Sequence, residues 1–179
     1  DNRLVDGDMG DQTIIGNTTP RYQYTFNGYI SWKGLSLSVM FQGVGKRDWV
    51  AGGAYFWGFG PYAQVTVFKE HMDYWRPDNP GAYYPKPYIN SAGGVAPYQD
   101  KNIQRTDLYL QNAAYCRLKN LTLSYDLPNS WVHKAGLQKV QVFFSGENLL
   151  TFTKLKGMFD PEAIFSSNSY TSEGGKNYP

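Results

Sequence analysis

Hydrophobic and polar positions alternate along four stretches of this chain. Between Tyr22 and Lys33 one parity holds Tyr22, Tyr24, Phe26, Gly28, Ile30 and Trp32, and the other holds Gln23, Thr25, Asn27, Tyr29, Ser31 and Lys33. Successive side chains of a strand point to opposite faces, so this period of two predicts a strand with one greasy face and one wet face. Lys33-Gly34 supplies a two-residue turn. Alternation then resumes with Leu35, Leu37, Val39 and Phe41 against Ser36, Ser38, Met40 and Gln42, and residues 21–45 form a long hairpin. A third run opposes Leu121, Leu123, Tyr125 and Leu127 to Thr122, Ser124 and Asp126; it continues a strand from Tyr109 to Lys119 whose phase slips between Leu118 and Leu121, the mark of a bulge. A fourth sets Val140, Val142 and Phe144 against Lys139, Gln141 and Ser145 and runs on through Asn148 toward Phe152.

The connections give this pattern a direction. Lys33-Gly34 is short, and so is Pro128 to Gly136, which has room for one helical turn; between the two hairpins lies a 61-residue segment, 46–106. Transmembrane β-barrels have short periplasmic turns and long extracellular loops, and a spanning strand needs only about 9 to 11 alternating residues. The expected fold is therefore all-β: about four antiparallel strands of a transmembrane barrel. Residues 1–20, 46–106 and 153–179 are extracellular loops, and 107–152 contains two strands with a short periplasmic connection. Trp32 and Trp131 flank the short connections, where an interfacial aromatic girdle belongs. The strands exceed the usual globular length of about 5 to 6 residues, and no second apolar layer is evident for their greasy faces. A soluble β-sandwich that binds carbohydrate through loop aromatics produces the same alternation and stays open as the alternative.

Composition fits strands, turns and irregular loops. Aromatic residues make up 17% of the chain, with 19 Gly and 10 Pro, while mean hydropathy is −0.51 and only 41% of residues are hydrophobic. The net charge of +2 is spread without a basic run, so no nucleic-acid footprint appears, and a single cysteine, Cys116, leaves no internal disulfide framework. The chain opens at Asp1-Asn2-Arg3 without a signal peptide or an initiator Met, as a fragment would.

Segment 46–106 contains 13 aromatic residues and six prolines, which predicts an ordered, packed loop; Phe68, Met72 and Trp75 are spaced as one face of a short helix that Pro77 ends after Arg76. Ring faces backed by polar groups suit a sugar or a peptide, so Trp49, Tyr55, Trp57, Trp75, Arg76, Tyr83 and Tyr84 are the candidate contacts to a substrate or a lid partner, with Tyr62 among the loop's further rings. The competing role for each ring is the loop's own small core. Glu70, His71 and Asp73 fall on different faces of a short helix and do not form a metal site, and Asp6, Asp8 and Asp11 lack the spacing and terminal Glu of a calcium loop. Phosphate-binding, nucleophile-elbow, paired-His and dinucleotide motifs are absent from the sequence, no cofactor is expected, and the chain is not expected to be an enzyme. Glycosidase carboxylates have no sequence motif, and only barrel topology argues against them.

Several segments resemble, in order, the C-terminal region of the SusC/RagA family of TonB-dependent outer-membrane transporters from Bacteroidetes. They are Gln12 to Arg21, Phe41 to Asp48, Glu70 to Pro80, Tyr109 to Tyr115, Arg117 to Leu123, Ser145 to Leu149 and Phe159 to Glu162. The resemblance implies a 22-stranded barrel around a plug, capped by a SusD-like surface lipoprotein. It would import glycans or peptides with energy from the TonB–ExbB–ExbD complex and be surrounded by outer-membrane lipid, with no nucleic-acid partner. Two departures accompany it: no plug or TonB-contact segment is present, and the chain stops at Tyr178-Pro179, before the family's closing strand.

Overall fold

The computed structural model describes residues 13–58, 67–87 and 105–164. Tyr62 and the Asp6, Asp8, Asp11 group lie outside them. The chain divides into two compact units, a wall unit (Thr19–Arg47 and Asn112–Lys154) and a loop unit (Asp1–Thr18, Asp48–Gln111 and Leu155–Pro179).

The wall unit is one antiparallel sheet. Strands β1 (Arg21–Trp32) and β2 (Leu35–Lys46) form the predicted hairpin; in the loop unit, β3 (Asp48–Val50) pairs with β4 (Leu110–Asn112); β5 (Tyr115–Asp126) and β6 (Gln141–Thr153) complete the wall in the order β1-β2-β5-β6. Lys33 (φ 49) and Gly34 (φ 85) both take positive φ, the backbone of the type I′ turn whose twist matches that of a hairpin. Between β5 and β6 the helical turn α2 (Asn129–Val132) tightens into a 3₁₀ turn at His133–Ala135 and stops at left-handed Gly136. The shorter helix α1 (Gly53–Trp57) belongs to the loop unit.

Register converts the alternation into two faces. On one, cross-strand rows run Trp32–Leu35–Tyr125–Val142, Ile30–Leu37–Leu123–Phe144, Gly28–Val39–Leu121–Gly146, Phe26–Phe41–Leu118–Leu150 and Tyr24–Gly43–Cys116–Phe152. Ile30, Phe26, Phe144 and Phe152 on this face are 60–64% exposed, so large side chains stand in the open instead of packing on a second layer. The other face carries Thr25–Gln42–Arg117–Thr151, Tyr29–Ser38–Thr122–Ser145 and Ser31–Ser36–Ser124, with Phe143 as an unpredicted ring among them.

Keeping Leu118 and Leu121 on one face requires a break in parity, and the structure has it where the phase slips. Met40 faces Asn120 but Phe41 faces Leu118, leaving Lys119 as the extra residue; on the other side Asn148 and Leu149 fill the gap between Glu147 and Leu150, with Asn148 at φ 53. Gly43 serves close approach: a Cβ there would run into the Tyr115 carbonyl and the Tyr24 ring, whose hydroxyl donates to that carbonyl at 3.3 Å. The predicted strand from Tyr109 is shorter than expected. Asp107–Tyr109 is a 3₁₀ turn and β4 pairs with β3, so the wall strand begins only at Tyr115.

Candidate functional site

Rings dominate the core of the loop unit, joined by Ala51, Leu155, Met158 and Ile164. Phe56 is fully buried and meets Trp57, Tyr83, Tyr84, Tyr109 and Phe159 at centroid distances of 4.7–6.2 Å, mostly edge to face, as the quadrupoles of aromatic rings favour. Trp49 closes on Phe159 at 4.8 Å, and Tyr55 lies between Phe68 and Phe159. Trp49, Trp57 and Tyr84 are all below 7% exposed. Three of the seven candidate contacts thus place their rings inside the unit, and Tyr55 and Tyr83 are half-buried.

His71 is the polar keystone of this core. Its Nδ1 accepts from the Phe68 N–H at 2.9 Å, and its Nε2 donates to the Phe56 carbonyl at 2.9 Å, an arrangement that requires the neutral ring protonated on Nε2. Both nitrogens are spoken for, which leaves His71 no lone pair for a metal. No cluster of three ligating side chains exists among the described residues.

The helix expected across Phe68, Met72 and Trp75 does not form. Lys69–Met72 is a single 3₁₀ turn, and Asp73 (φ −84, ψ 58) leaves the helical region because its groups are claimed by the following turn. One carboxylate oxygen accepts from the Asn79 side-chain amide at 3.1 Å and the other from the Tyr83 N–H at 3.2 Å; the Asp73 carbonyl accepts from the Tyr84 N–H at 3.0 Å. The Trp75 N–H donates to the Tyr84 carbonyl at 2.9 Å, and the Asn79 N–H to the Arg76 carbonyl at 2.9 Å. Hydrogen bonds from Asn79 and then Tyr83 hold the Asp73 carboxyl below its ordinary range.

On this pinned turn Trp75 is 43% exposed, and the Arg76 guanidinium lies over the Tyr74 ring at 5.1 Å with Asp78 at 3.5 Å. Beside it the Lys156 ammonium sits 3.1 Å above the Tyr83 ring, and the Lys156 N–H donates to Gln111 Oε1 at 3.2 Å. Burial lowers the Lys156 pKa and raises that of Tyr83 to about 12, so the phenol keeps its proton at neutral pH. Of the candidate contacts, Trp75 is the exposed one, and Arg76 beside it is half-buried with its Nε enclosed. Sequence spacing had placed them on a helix; the signal for the turn was Asp73 six residues before Asn79 and followed by two prolines.

No family model matches the chain. A TonB-dependent receptor of Formosa agariphila, P3, is 33% identical over 159 residues, 89% of this chain. A structure of the RagAB peptide transporter superposes with a TM-score of 0.61 at 34% identity over 88% of this chain. The chain belongs to the SusC/RagA type of TonB-dependent transporter. The RagAB peptide importer in its closed-closed state matches as well, with a TM-score of 0.59 and 29% identity over 94% of the chain. The chain spans 14% of the P3 receptor and 17–18% of the matched RagAB chains. The wall unit is accordingly outer-membrane barrel wall. The sandwich alternative finds no support in these matches, which are to TonB-dependent receptors and a transporter.

Proposed function

We propose that this segment forms part of the wall and extracellular loops of an importer that carries an oligomeric nutrient, a peptide or a glycan, across the outer membrane. The observation that carries the proposal is the division of the chain into a sheet with one continuous apolar and one polar face and a separately cored loop unit. The first suits a membrane wall and the second a preorganised recognition surface. Peptides come first among substrate classes, because the solved transporter 34% identical to this chain is a peptide transporter. Passage needs binding and gating but no bond chemistry. The segment contributes lumen-facing Gln23, Thr25, Asn27, Ser36, Ser38 and Gln42 to the wall, and Trp75 and Arg76 contact the substrate or a SusD-like lipoprotein lid. Energy arrives from TonB–ExbB–ExbD through parts of the transporter beyond this segment.

Uptake by the native bacterium tests this. Deleting the transporter's gene should abolish uptake of a labelled oligopeptide or oligosaccharide pool, and restoring it with Trp75→Ala and Arg76→Ala together should leave outer-membrane abundance unchanged while lowering uptake at limiting substrate several-fold. Undiminished uptake of both pools in the deletion strain would refute the proposal.

A further inference from the structure

One side chain ties α1 to the turn that displays Trp75. His71 is 6% exposed, and both its ring nitrogens bond to backbone groups: Nδ1 accepts from the Phe68 N–H and Nε2 donates to the Phe56 carbonyl, each at 2.9 Å. The chain leaving α1 is pressed against the same ring, since a Cβ at Gly58 would come within 2.7 Å of the His71 Cγ. Tyr84 meets the imidazole edge to face at 5.1 Å, and its own backbone is bonded to Asp73 and Trp75. Three pieces of the loop unit thus converge on one neutral ring: α1, the Lys69–Met72 turn and the run at Tyr84.

A second proton on that ring can only go to Nδ1. There it would face the Phe68 N–H, and a hydrogen bond would become two opposed donors. Among the described residues no counter-charge is bonded to His71. α1 brings Tyr55 as its one titratable group; Tyr84 donates its hydroxyl to the Met158 sulfur at 3.3 Å, and burial, then the neighbouring Tyr83, holds its phenol well above the ordinary range. Within the turn itself Lys69 and Glu70 are exposed, and both carboxylate oxygens of Asp73 are taken by Asn79 and Tyr83. An imidazolium closed in this site is a buried charge without a partner, so proton uptake favours the open form.

We infer that His71 is a proton-operated latch: taking up a proton on Nδ1, it lets go of Phe68, frees the turn from α1 and loosens the surface that carries Trp75. Mild acid thus converts a fixed recognition surface into an adaptable one. The consequence for uptake rests on the proposed contacts of Trp75 and Arg76, whereas the latch belongs to the fold and is measured separately.

The test is hydrogen exchange of the intact transporter that contains this segment, read by mass spectrometry and corrected for the intrinsic pH dependence of exchange. Between about pH 8 and about pH 5, the span in which imidazoles titrate, protection of residues 67–72 should fall several-fold. The fall should coincide with the titration of His71 followed through the slow exchange of its C2 proton. Asp73, held below the ordinary carboxylate range, stays ionised over this span, so the Tyr83 N–H keeps its protection. His71→Gln offers an acceptor to Phe68 and a donor to Phe56 without taking a proton, and its protection should be equal at both ends of the span. If the glutamine fails to close the turn and leaves 67–72 unprotected at every pH, the coincidence of the two native curves still decides. Native protection independent of pH, a fall displaced from the His71 titration, or the same fall in a protected His71→Gln variant would overturn the latch. A latch that behaves as described in a transporter whose uptake ignores Trp75→Ala with Arg76→Ala overturns the contact reading alone.

Discussion

Asp73 organises the turn that displays Trp75, and the dependence is measurable. Its carboxyl is held below the ordinary range, so the turn is fully pinned above the unfolded value of about 3.9 and loses the contribution as pH falls through the lower folded value. Amide exchange at Tyr83 should therefore stay slow at neutral pH and quicken in acid, beyond the intrinsic pH dependence of exchange, whereas Asp73→Ala should exchange fast throughout; acid-independent protection would count against the role. Gly43 makes a different kind of claim. Gly43→Val should prevent assembly of the parent barrel, because the Tyr115 carbonyl and the Tyr24 ring occupy the space, and heat-modifiable gel mobility would register the loss. At this scale the sequence was least legible. Trp49, Trp57 and Tyr84 stood open between binding and packing, because composition cannot separate a ring that recognises from one that packs. The His71 hydrogen bonds that bring Phe56 and Phe68 together span 15 and three residues without any periodic trace.

Strands were the most legible elements, because a period of two survives any tertiary context that keeps one face apolar. The Lys33-Gly34 turn, the pairing of Ile30 with Leu37 and the helical turn after Pro128 all agree with the alternation and turn chemistry. Even the parity slip near Lys119 was visible as a defect, although its role, keeping Leu118 in the row of Phe41, needed the register. Helix spacing misled at 68–75, where three apolar residues at helical intervals lost to side-chain and backbone bonds made by Asp73. The faces themselves predict an asymmetry. Arg in place of Phe26 or Leu37 should destabilise the folded barrel by about 2 to 4 kcal/mol, and Arg in place of Thr25 or Ser38 by far less, as read from reversible folding of the parent in vesicles. Equal penalties on the two faces would reverse the assignment.

Each unit of the molecule has its own source of stability. The loop unit rests on buried rings, so Phe56→Ala should cost it about 3 to 5 kcal/mol and expose the whole aromatic cluster to exchange together, while β1, β2, β5 and β6 keep their protection. Loss of protection in the wall strands would show that the two units unfold as one. The wall has no such core, since its apolar side chains stand exposed, and its 12-residue strands extend about 40 Å, enough to cross the roughly 25 Å apolar band at a 40° tilt. The proposed function makes lipid the partner of that face, and this is the claim on which the rest depends. It is tested most directly by single nitroxide labels at positions 24 to 31 of β1, one at a time, in the cysteine-free parent transporter reconstituted in lipid vesicles. Accessibility to oxygen dissolved in the bilayer should alternate, with Tyr24, Phe26, Gly28 and Ile30 positions high and Thr25, Asn27, Tyr29 and Ser31 positions low. A flat profile, or one in opposite phase, would contradict the account.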